Sequence, residues 1–309
     1  MASDGLYKPK KIFMWINPRC LSTSFEKCVA HMDGAQIWHE PYVSCYFNEI
    51  FRDPEVFQRF PNMQPFLKHF MAAKQLIEAG GHIYQGGNLL PMETFTYDWV
   101  KEQLEKPIAE GKKFMFIKDT GLGIDGHYDK LPKIEAKHTF IIRHPYRMAL
   151  SVQRLLASTF DFEGEPSDLD IGSGHPFMAW EKLSPDPVFK LWKHVRENID
   201  PNPIVIDADD LQTHPEQILR KYCENVGIPF KKEYLQWEKS DESLKYFNGA
   251  LEQMVWGKTE HVYDAAFLSS CFLPLKGPVP DTIPETCMGY AKEFLKGYSV
   301  MYEGRIKPE

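Results

Sequence analysis

The 309-residue sequence lacks the marks of several common protein classes. No uncharged apolar run reaches about 18 residues, and the first residues contain no apolar segment of signal-peptide length, so neither a membrane span nor secretion is predicted. The six cysteines lie far apart without a C-x-x-C pair, which argues against a dense disulfide framework and against a cysteine zinc site. These absences indicate a cytoplasmic location.

Two catalytic motifs are also missing. The pattern G-x-x-x-x-G-K-[ST] does not occur, which removes most of the support for an ATP- or GTP-hydrolysing enzyme, and no H-E-x-x-H or other metal spacing is present among the histidines. A formal net charge of −7 argues against broad nucleic-acid binding. The same charge leaves room for one basic pocket that binds an anionic ligand.

Short apolar runs separated by helical segments are present instead. With 43% hydrophobic residues the chain can bury a large core. The alternation predicts a three-layer α/β domain with a central parallel sheet of about five strands. The predicted strands are 11–16, 35–38, 113–117, 138–142 and 202–206.

Two long stretches interrupt this pattern within a single predicted domain, 1–309. Residues 41–110 carry helical segments with aromatic faces, and we interpret them as an inserted helical cap. Residues 159–187 are rich in Gly, Pro, Ser and Asp and predict a flexible loop.

The first predicted strand runs directly into N-P-R-C-L-S-T-S-F. A turn of this composition before a helix gathers backbone N–H groups, hydroxyls and a guanidinium at one point, and such turns hold phosphate-like anions. A plain helix cap by Ser22 or Thr23 is the alternative. The candidate anion-binding residues are Arg19, Cys20, Leu21, Ser22, Thr23 and Ser24.

Cys20 raises a separate hypothesis, because a cysteine at a helix N-terminus can act as a nucleophile. A cysteine phosphatase needs an arginine six positions later, and Glu26 stands there instead. We therefore disfavour this alternative.

A second strand end repeats the pattern in F-I-I-R-H-P-Y-R-M-A-L-S. Arg143 ends the apolar run, Pro145 suits the first turn of a helix, and Ser151 follows almost two turns later. Two anion-binding strand ends in one parallel sheet predict one ligand with two phosphate groups.

Here the chain resembles the sulfotransferases that use 3′-phosphoadenosine 5′-phosphosulfate (PAPS). Pro18, Arg19, Ser22 and Thr23 fit that family's P-[KR]-S-G-T-[TS] loop for the 5′-phosphosulfate, while Cys20 and Leu21 depart from it; Arg143 and Ser151 fit its 3′-phosphate motif. The sequence W-H-E-P is similar to a divergent branch that carries P-R-S-L-S-T-x-F and H-E-P. Residues 204–230 resemble a third family segment, with Ala208 where many members have a Tyr near the adenine.

The resemblance implies the P-loop nucleoside-triphosphatase-like sulfotransferase fold and assigns catalytic roles. Arg19 and Lys118 would neutralise the anion, although Lys118 has a solvated strand-end lysine as its alternative interpretation. Glu40 is favoured as general base by analogy, with His39 next and Asp119 or His127 as further candidates. A structural Glu40 before Pro41 is the alternative.

Weaker candidates lie near the C-terminus. Trp256 is a candidate for stacking on adenine, and Ser270, with Lys258, Ser269 and Lys276, for closing the nucleotide pocket. Most tryptophans in such a chain belong to the core, which is the alternative for Trp256.

The resulting hypothesis is an enzyme that transfers a sulfuryl group from PAPS, leaving adenosine 3′,5′-bisphosphate, to a hydroxyl or amine of a small-molecule acceptor. No metal is required in principle. The oligomeric state is open, with a homodimer as one option. A nucleotide or small-molecule kinase and a non-catalytic nucleotide-binding module are the alternatives.

Overall fold

The computed structural model describes residues 10–52, 55, 64–80, 88–159, 162–172, 185–241 and 246–309. Their centre is a seven-stranded sheet with the strand order β3-β7-β2-β4-β1-β5-β6, in which every pairing is parallel. The strands are β1 Lys10–Ile16, β2 Ala35–His39, β3 Asn88–Leu90, β4 Phe114–Thr120, β5 Lys137–Ile142, β6 Ile204–Asp207 and β7 Phe247–Ala250.

Helices connect these strands. Within the described ranges they are α1 Ser22–Ala30, α2 Pro41–Arg52, α3 Gln64–Glu78, α4 Tyr97–Glu105, α5 Gly121–Ile124, α6 Pro145–Thr159, α7 Pro187–Asn198, α8 Ala208–Thr213, α9 Pro215–Val226, α10 Leu251–Thr259, α11 Asp264–Phe267 and α12 Glu285–Glu303. Neighbouring residues of a strand point to opposite faces, and every residue of β4 is buried, so both faces of the sheet are covered there. The predicted α/β class with a central parallel sheet is confirmed.

All five predicted strands are present, but the predicted count of about five is wrong by two. The additional strands are β3 and β7, which lie on the β2 side of the sheet. β3 has three residues, and β7 has the sequence F-N-G-A, in which Asn and Gly disfavour strands. β3 is too short, and β7 too poor in apolar residues, to be predicted as a strand from sequence.

The predicted cap at 41–110 is only partly covered by the structure. It contains α2, α3 and α4, and it also contains β3, which pairs with β7, so this range is not helical throughout. Residues 53–54, 56–63 and 81–87 of the cap and residues 160–161 and 173–184 of the predicted loop lie outside the described residues. The division into domain, cap and loop remains a prediction.

None of the described helices combines the length and apolar character needed to cross a lipid bilayer.

A buried histidine lies on β5, between β1 and the edge strand β6. His138 on β5 is only 4% exposed, and its ring stacks on Phe13 of β1 at a centroid distance of 5.0 Å. The Trp15 indole Nε1 donates a hydrogen bond of 3.0 Å to His138 Nδ1. Burial lowers the pKa of His138 from 6.5 to about 4, so the ring stays neutral in the folded protein near pH 6.

We expect His138 to make the protein less stable as the solution is acidified. Between pH 6.5 and about 4 the unfolded chain binds a proton at this histidine and the folded chain does not, so the free energy of unfolding falls by about 1.4 kcal/mol per pH unit from this group. His138→Gln keeps an acceptor for Trp15 and should remove this part of the slope. Urea unfolding of wild type and variant at pH 7 and pH 5 measures how the free energy of unfolding changes with pH. An equal change in the two proteins would contradict the role of His138.

Candidate active site

Two cavities meet at the carboxyl-terminal edge of the sheet. The larger, which we call the cleft, has a volume of about 690 Å³, and the smaller, which we call the inner cavity, about 130 Å³. Residues of the loop between β1 and α1 and the pair Val262 and Tyr263 line both. Ligand sites in open parallel sheets form outside this edge, so the position suits a binding site.

The loop between β1 and α1 has an unusual backbone. Arg19 and Leu21 have φ of 69° and 67°, in the left-handed region that favours glycine. Each costs roughly 1–2 kcal/mol of conformational strain, and left-handed residues in a turn direct successive N–H groups to one concave point where an anion can bind. Leu21 is the N-cap residue of α1 and makes no side-chain cap hydrogen bond. The hydroxyls of Ser22 and Thr23 are thus not used as the helix cap.

The two predicted anion sites touch each other. Arg19 Nε donates to Ser151 Oγ at 3.1 Å, and Arg143 Nη1 donates to the Arg19 carbonyl at 2.9 Å. Arg19 Nη1 also donates to the Val262 carbonyl at 2.9 Å. Arg19, Arg143 and Ser151 all line the cleft, so the sequence prediction that both strand ends face one ligand agrees with the geometry. Ser151 pairs with Arg19 here, whereas we expected it beside Arg143.

The cleft is strongly basic although the whole chain is acidic. Arg147, Arg154 and Lys276 line it together with Arg19 and Arg143, and no Asp or Glu is among the described residues of its lining. Burial, and next the charges of neighbouring arginines, lower the pKa of Arg19. Positive groups held this close to one another attract a ligand with several negative charges.

Two predicted cofactor contacts near the start of α1 differ in their positions. Ser24 lines the cleft. The Cys20 thiol does not, because it is buried with Sγ 3.7 Å from Met148 Sδ, so only its backbone N–H is left to contact an anion. Burial raises the pKa of Cys20 to about 12, which agrees with our rejection of a nucleophilic cysteine.

Trp256 and Ser270 do not line the cleft. Trp256 lines the inner cavity instead, and its stacking on adenine stays a prediction. Ser270 lines neither cavity, and its carbonyl accepts from Trp237 N at 2.9 Å. The apolar wall of the cleft comes instead from Leu273, Pro274, Leu275, Pro278 and Pro280.

Of the three remaining C-terminal candidates, Lys276 lines the cleft and Lys258 and Ser269 do not. Lys276 lines the cleft, whereas Lys258 forms an ion pair with Asp241. Ser269 is buried and donates its hydroxyl to the Ala266 carbonyl at 2.9 Å.

A buried group of charges lies at the ends of β2 and β4. Lys118 Nζ is 2.5 Å from Glu40 Oε1 and 3.6 Å from Glu26 Oε2, and both Lys118 and Glu26 are almost fully inaccessible. Burial alone would lower the pKa of Lys118, but the carboxylates of Glu40 and Glu26 raise it above its usual value. Lys118 is therefore a charged, paired lysine and not a solvated strand end.

Glu40 faces the inner cavity together with Lys118. Its φ of 49° breaks the strand geometry just after His39, which turns its carboxylate toward Lys118. Glu40 Oε2 accepts from Gln253 Nε2 at 2.5 Å, so both carboxylate oxygens have donors. Burial alone would raise the pKa of Glu40, yet Lys118 holds it below its usual value. The carboxylate is ionised and able to accept a proton.

His39, the second base candidate, is covered. Its Nδ1 is 2.8 Å from Glu26 Oε2, and its Nε2 is 3.2 Å from the Tyr263 hydroxyl and 3.9 Å from Glu40 Oε2. His39 is 1% exposed and does not line the inner cavity. Tyr263 lies between His39 and the cavities, so the imidazole has no direct contact with them.

The two further base candidates have other roles. Asp119 accepts from Tyr42 N at 2.5 Å and Val43 N at 3.2 Å, which satisfies the N-terminus of α2. Burial, and next the charge of Glu40, raise the pKa of Asp119. His127 stacks on Tyr97 at 4.1 Å and lines neither cavity.

The C-terminal third of the chain is similar to a known protein family. Residues 199–301 match the family model described as "Sulfotransferase domain". This segment of the chain is similar to the sulfotransferases. The match covers the segment from β6 to α12, which includes residues 204–230 that resemble the family in sequence. No group of three or more His, Cys, Asp or Glu side chains in the described part of the chain is arranged to hold a metal ion.

Individual relatives are distant. The chain is 24% identical over 234 residues to "Branched-chain-amino-acid aminotransferase-like protein 2" of Arabidopsis thaliana, which covers 74% of this chain and 32% of that protein. The related protein 1 of the same plant is 29% identical over 102 residues, 33% of this chain and 15% of that protein. The chain thus spans about a third or less of the length of these two curated relatives.

Solved structures of similar architecture include the "Sulfotransferase Domain from the Curacin Biosynthetic Pathway", with a TM-score of 0.45, 15% identity and 97% and 99% of the two chains covered. Mouse sulfotransferase SULT7A1 complexed with PAP has a TM-score of 0.43 and 12% identity over 96% and 87% of the chains.

Several residues of the site were not predicted. Glu26 and Gln253 contact the Lys118–Glu40 pair, and Tyr263 separates His39 from the cavities. No local pattern identifies them, since they join the site only through the fold. Arg154 is different, because its position three residues after Ser151 on a predicted helix places both on one side of that helix.

We expect Lys118→Met to destabilise the protein by roughly 3–5 kcal/mol near pH 8, because it leaves Glu26 and Glu40 buried without their cation. The pairing lowers the pKa of Glu40, so the stabilisation that Lys118 provides is present above pH 4.5 and is lost as the pH falls. The difference between wild type and variant in urea unfolding should therefore hold from pH 8 to pH 5 and shrink between pH 4.5 and about pH 3. Adding Glu40→Gln should restore part of the lost stability, and a difference independent of pH would refute the pairing.

Proposed function

We propose that this protein is a sulfotransferase that moves a sulfuryl group from PAPS to a hydroxyl or amine of a small-molecule acceptor. The observation that carries the proposal is the continuity of the basic cleft, which holds Arg19 and Arg143, with the inner cavity, which holds Lys118 and Glu40. The sulfotransferase family match supports it, and two structural neighbours are complexes with PAP by their own descriptions.

The cleft fits the donor in size and charge. Nucleotide-sized ligands occupy cavities of roughly 300–1,000 Å³, and the cleft has a volume of about 690 Å³. The loop N–H groups, Ser22 and Arg19 would hold the 5′ end, and Arg143 the 3′-phosphate. When bound, PAPS supplies the sulfuryl group and a bisphosphate leaving group.

The inner cavity fits the acceptor. Apart from the group around Glu40 and the loop, its walls are mainly apolar, with Val43, Phe47, Leu122, Val152, Leu155, Leu156, Trp256 and Tyr290. An acceptor with an apolar body would thus present its polar end to Glu40.

The transfer chemistry rests on Lys118 and Glu40. In the structure the lysine neutralises Glu40, which keeps the carboxylate weakly basic. A shift of the lysine Nζ toward the negative charge of the donor would free Glu40 Oε1 and raise its basicity. Glu40 would then take the proton from the acceptor hydroxyl or amine, while the lysine charge stabilises the leaving group. The cytoplasmic location, the absence of a metal requirement and the option of a homodimer belong to the same proposal.

The donor assignment is tested by calorimetry with adenosine 3′,5′-bisphosphate, ATP and GTP. We expect tight binding of the bisphosphate alone, and Arg143→Ala should weaken it by roughly 10-fold or more because a charge-assisted hydrogen bond contributes about 1.5–3 kcal/mol. Equal affinity for ATP would favour the kinase alternative and refute the donor.

The base is tested by Glu40→Gln. We expect the variant to bind adenosine 3′,5′-bisphosphate within about twofold of wild type and to lose about 10²–10⁴-fold in turnover. The assay incubates enzyme and PAPS with a metabolite extract and follows products that gain one SO₃ group by mass spectrometry.

His39→Gln serves as the comparison for the second base candidate. Normal turnover of Glu40→Gln would make His39 the leading base. Binding of the bisphosphate without turnover of any acceptor by the wild-type protein would favour the non-catalytic module.

A further inference from the structure

One arginine of the cleft has no partner among the residues that the structure describes. Arg154 lies on α6, lines the cleft, and makes no hydrogen bond or ion pair with any other described residue. Arg19, Arg143 and Arg147 each donate hydrogen bonds to protein atoms. An exposed arginine is commonly just solvated, so its position relative to the other cations decides whether it matters.

Arg154 stands close to the other cations. It follows Ser151 by three residues, so the two side chains leave α6 on the same side, one turn apart. Its charge helps to lower the pKa values of both Arg19 and Arg143, although burial is the larger cause for each. Ser151 itself contacts Arg19. These relations place the Arg154 guanidinium at the part of the cleft where the two strand ends meet.

The charge balance beside Arg143 leaves a need for another cation. Asp209 is 2.7 Å from Arg147 Nε and 4.0 Å from Arg143 Nε, so these two arginines and one carboxylate carry a net charge of +1. A phosphate monoester carries about −1.5 to −2 near pH 7. Arg143 and Arg147 by themselves do not neutralise it.

We infer that Arg154 is a second arginine for the 3′-phosphate and makes the cleft select nucleotides phosphorylated at the 3′ position. The inference rests on the proposed function, because it assumes that Arg143 and Ser151 hold that phosphate. With Arg154 the net charge around the 3′-phosphate is +2, which matches a phosphate dianion. Because Arg154 is unpaired within the described residues, it reaches the ligand without breaking an existing ion pair.

The test compares two ligands that differ only in the 3′-phosphate, adenosine 3′,5′-bisphosphate and adenosine 5′-monophosphate. Calorimetry at one fixed salt concentration measures both affinities for wild type, Arg154→Gln and Arg154→Lys. We expect Arg154→Gln to bind the bisphosphate about 10-fold more weakly and the monophosphate within about twofold of wild type, because a single charge-assisted hydrogen bond is lost. Arg154→Lys should recover most of the loss, since it keeps the charge.

Arg196→Gln is the matched control. Arg196 lies on α7, stacks on Trp192 at 4.5 Å and lines neither cavity, so this variant makes the same change of charge away from the site. It should leave both affinities unchanged.

Other outcomes separate the two proposals. An equal loss for both ligands would place Arg154 at the 5′ end and overturn the inference, and so would no loss for either ligand. Both results leave the sulfotransferase proposal standing, provided that wild type binds the bisphosphate tightly. Failure of wild type to bind the bisphosphate would overturn the proposed function and the role of Arg154 together.

Discussion

The site depends on holding several positive charges together at one edge of the sheet. The hydrogen bond from Arg143 Nη1 to the Arg19 carbonyl joins the ends of β5 and β1, which are neighbours in the sheet. Arg19 accepts this bond while in the left-handed conformation, which a side chain disfavours by roughly 1–2 kcal/mol. A chain with a net charge of −7 thereby presents a cleft lined by five basic residues, namely Arg19, Arg143, Arg147, Arg154 and Lys276. Such an arrangement costs stability without an anion and is relieved when one binds.

A second group of charges lies at the ends of β2 and β4. Unlike the arginines of the cleft, these charges neutralise one another. Lys118, Glu26 and Glu40 are paired at short range, and Asp119 next to them satisfies the N-terminus of α2. Pairing makes this group stable without a ligand, whereas the cleft arginines gain most from one. Both groups lie at the same edge because β1, β2, β4 and β5 are adjacent and parallel. The order of the strands therefore determines that binding and proton transfer can occur side by side.

The sequence predicts the parts of this arrangement that are local. The five predicted strands, the turn at Arg19 and the strand end at Arg143 follow from short patterns, and each has the predicted position in the fold. β3 and β7 were not predicted. They have three and four residues and contain Asn or Gly, so their strand conformation depends on pairing with neighbouring strands. The sequence does not predict that Trp256 lines the inner cavity, because tertiary packing determines which cavity a side chain faces. From the sequence, Glu26 only argues against a cysteine phosphatase. In the fold its carboxylate contacts His39 and Lys118 and does not line the cleft.

The same tertiary packing connects the two cavities through one segment. Val262 and Tyr263 line both, and three different elements hold the stretch that follows α10. Arg19 binds the Val262 carbonyl from the loop after β1, His39 meets the Tyr263 hydroxyl from the end of β2, and Lys27 of α1 donates to the Ala266 and Phe267 carbonyls at 3.2 and 3.1 Å. Arg19 Nη1 carries two N–H groups, so one can bind an anion in the cleft while the other holds the Val262 carbonyl. The wall between the two cavities therefore keeps its three supports when an anion occupies the cleft.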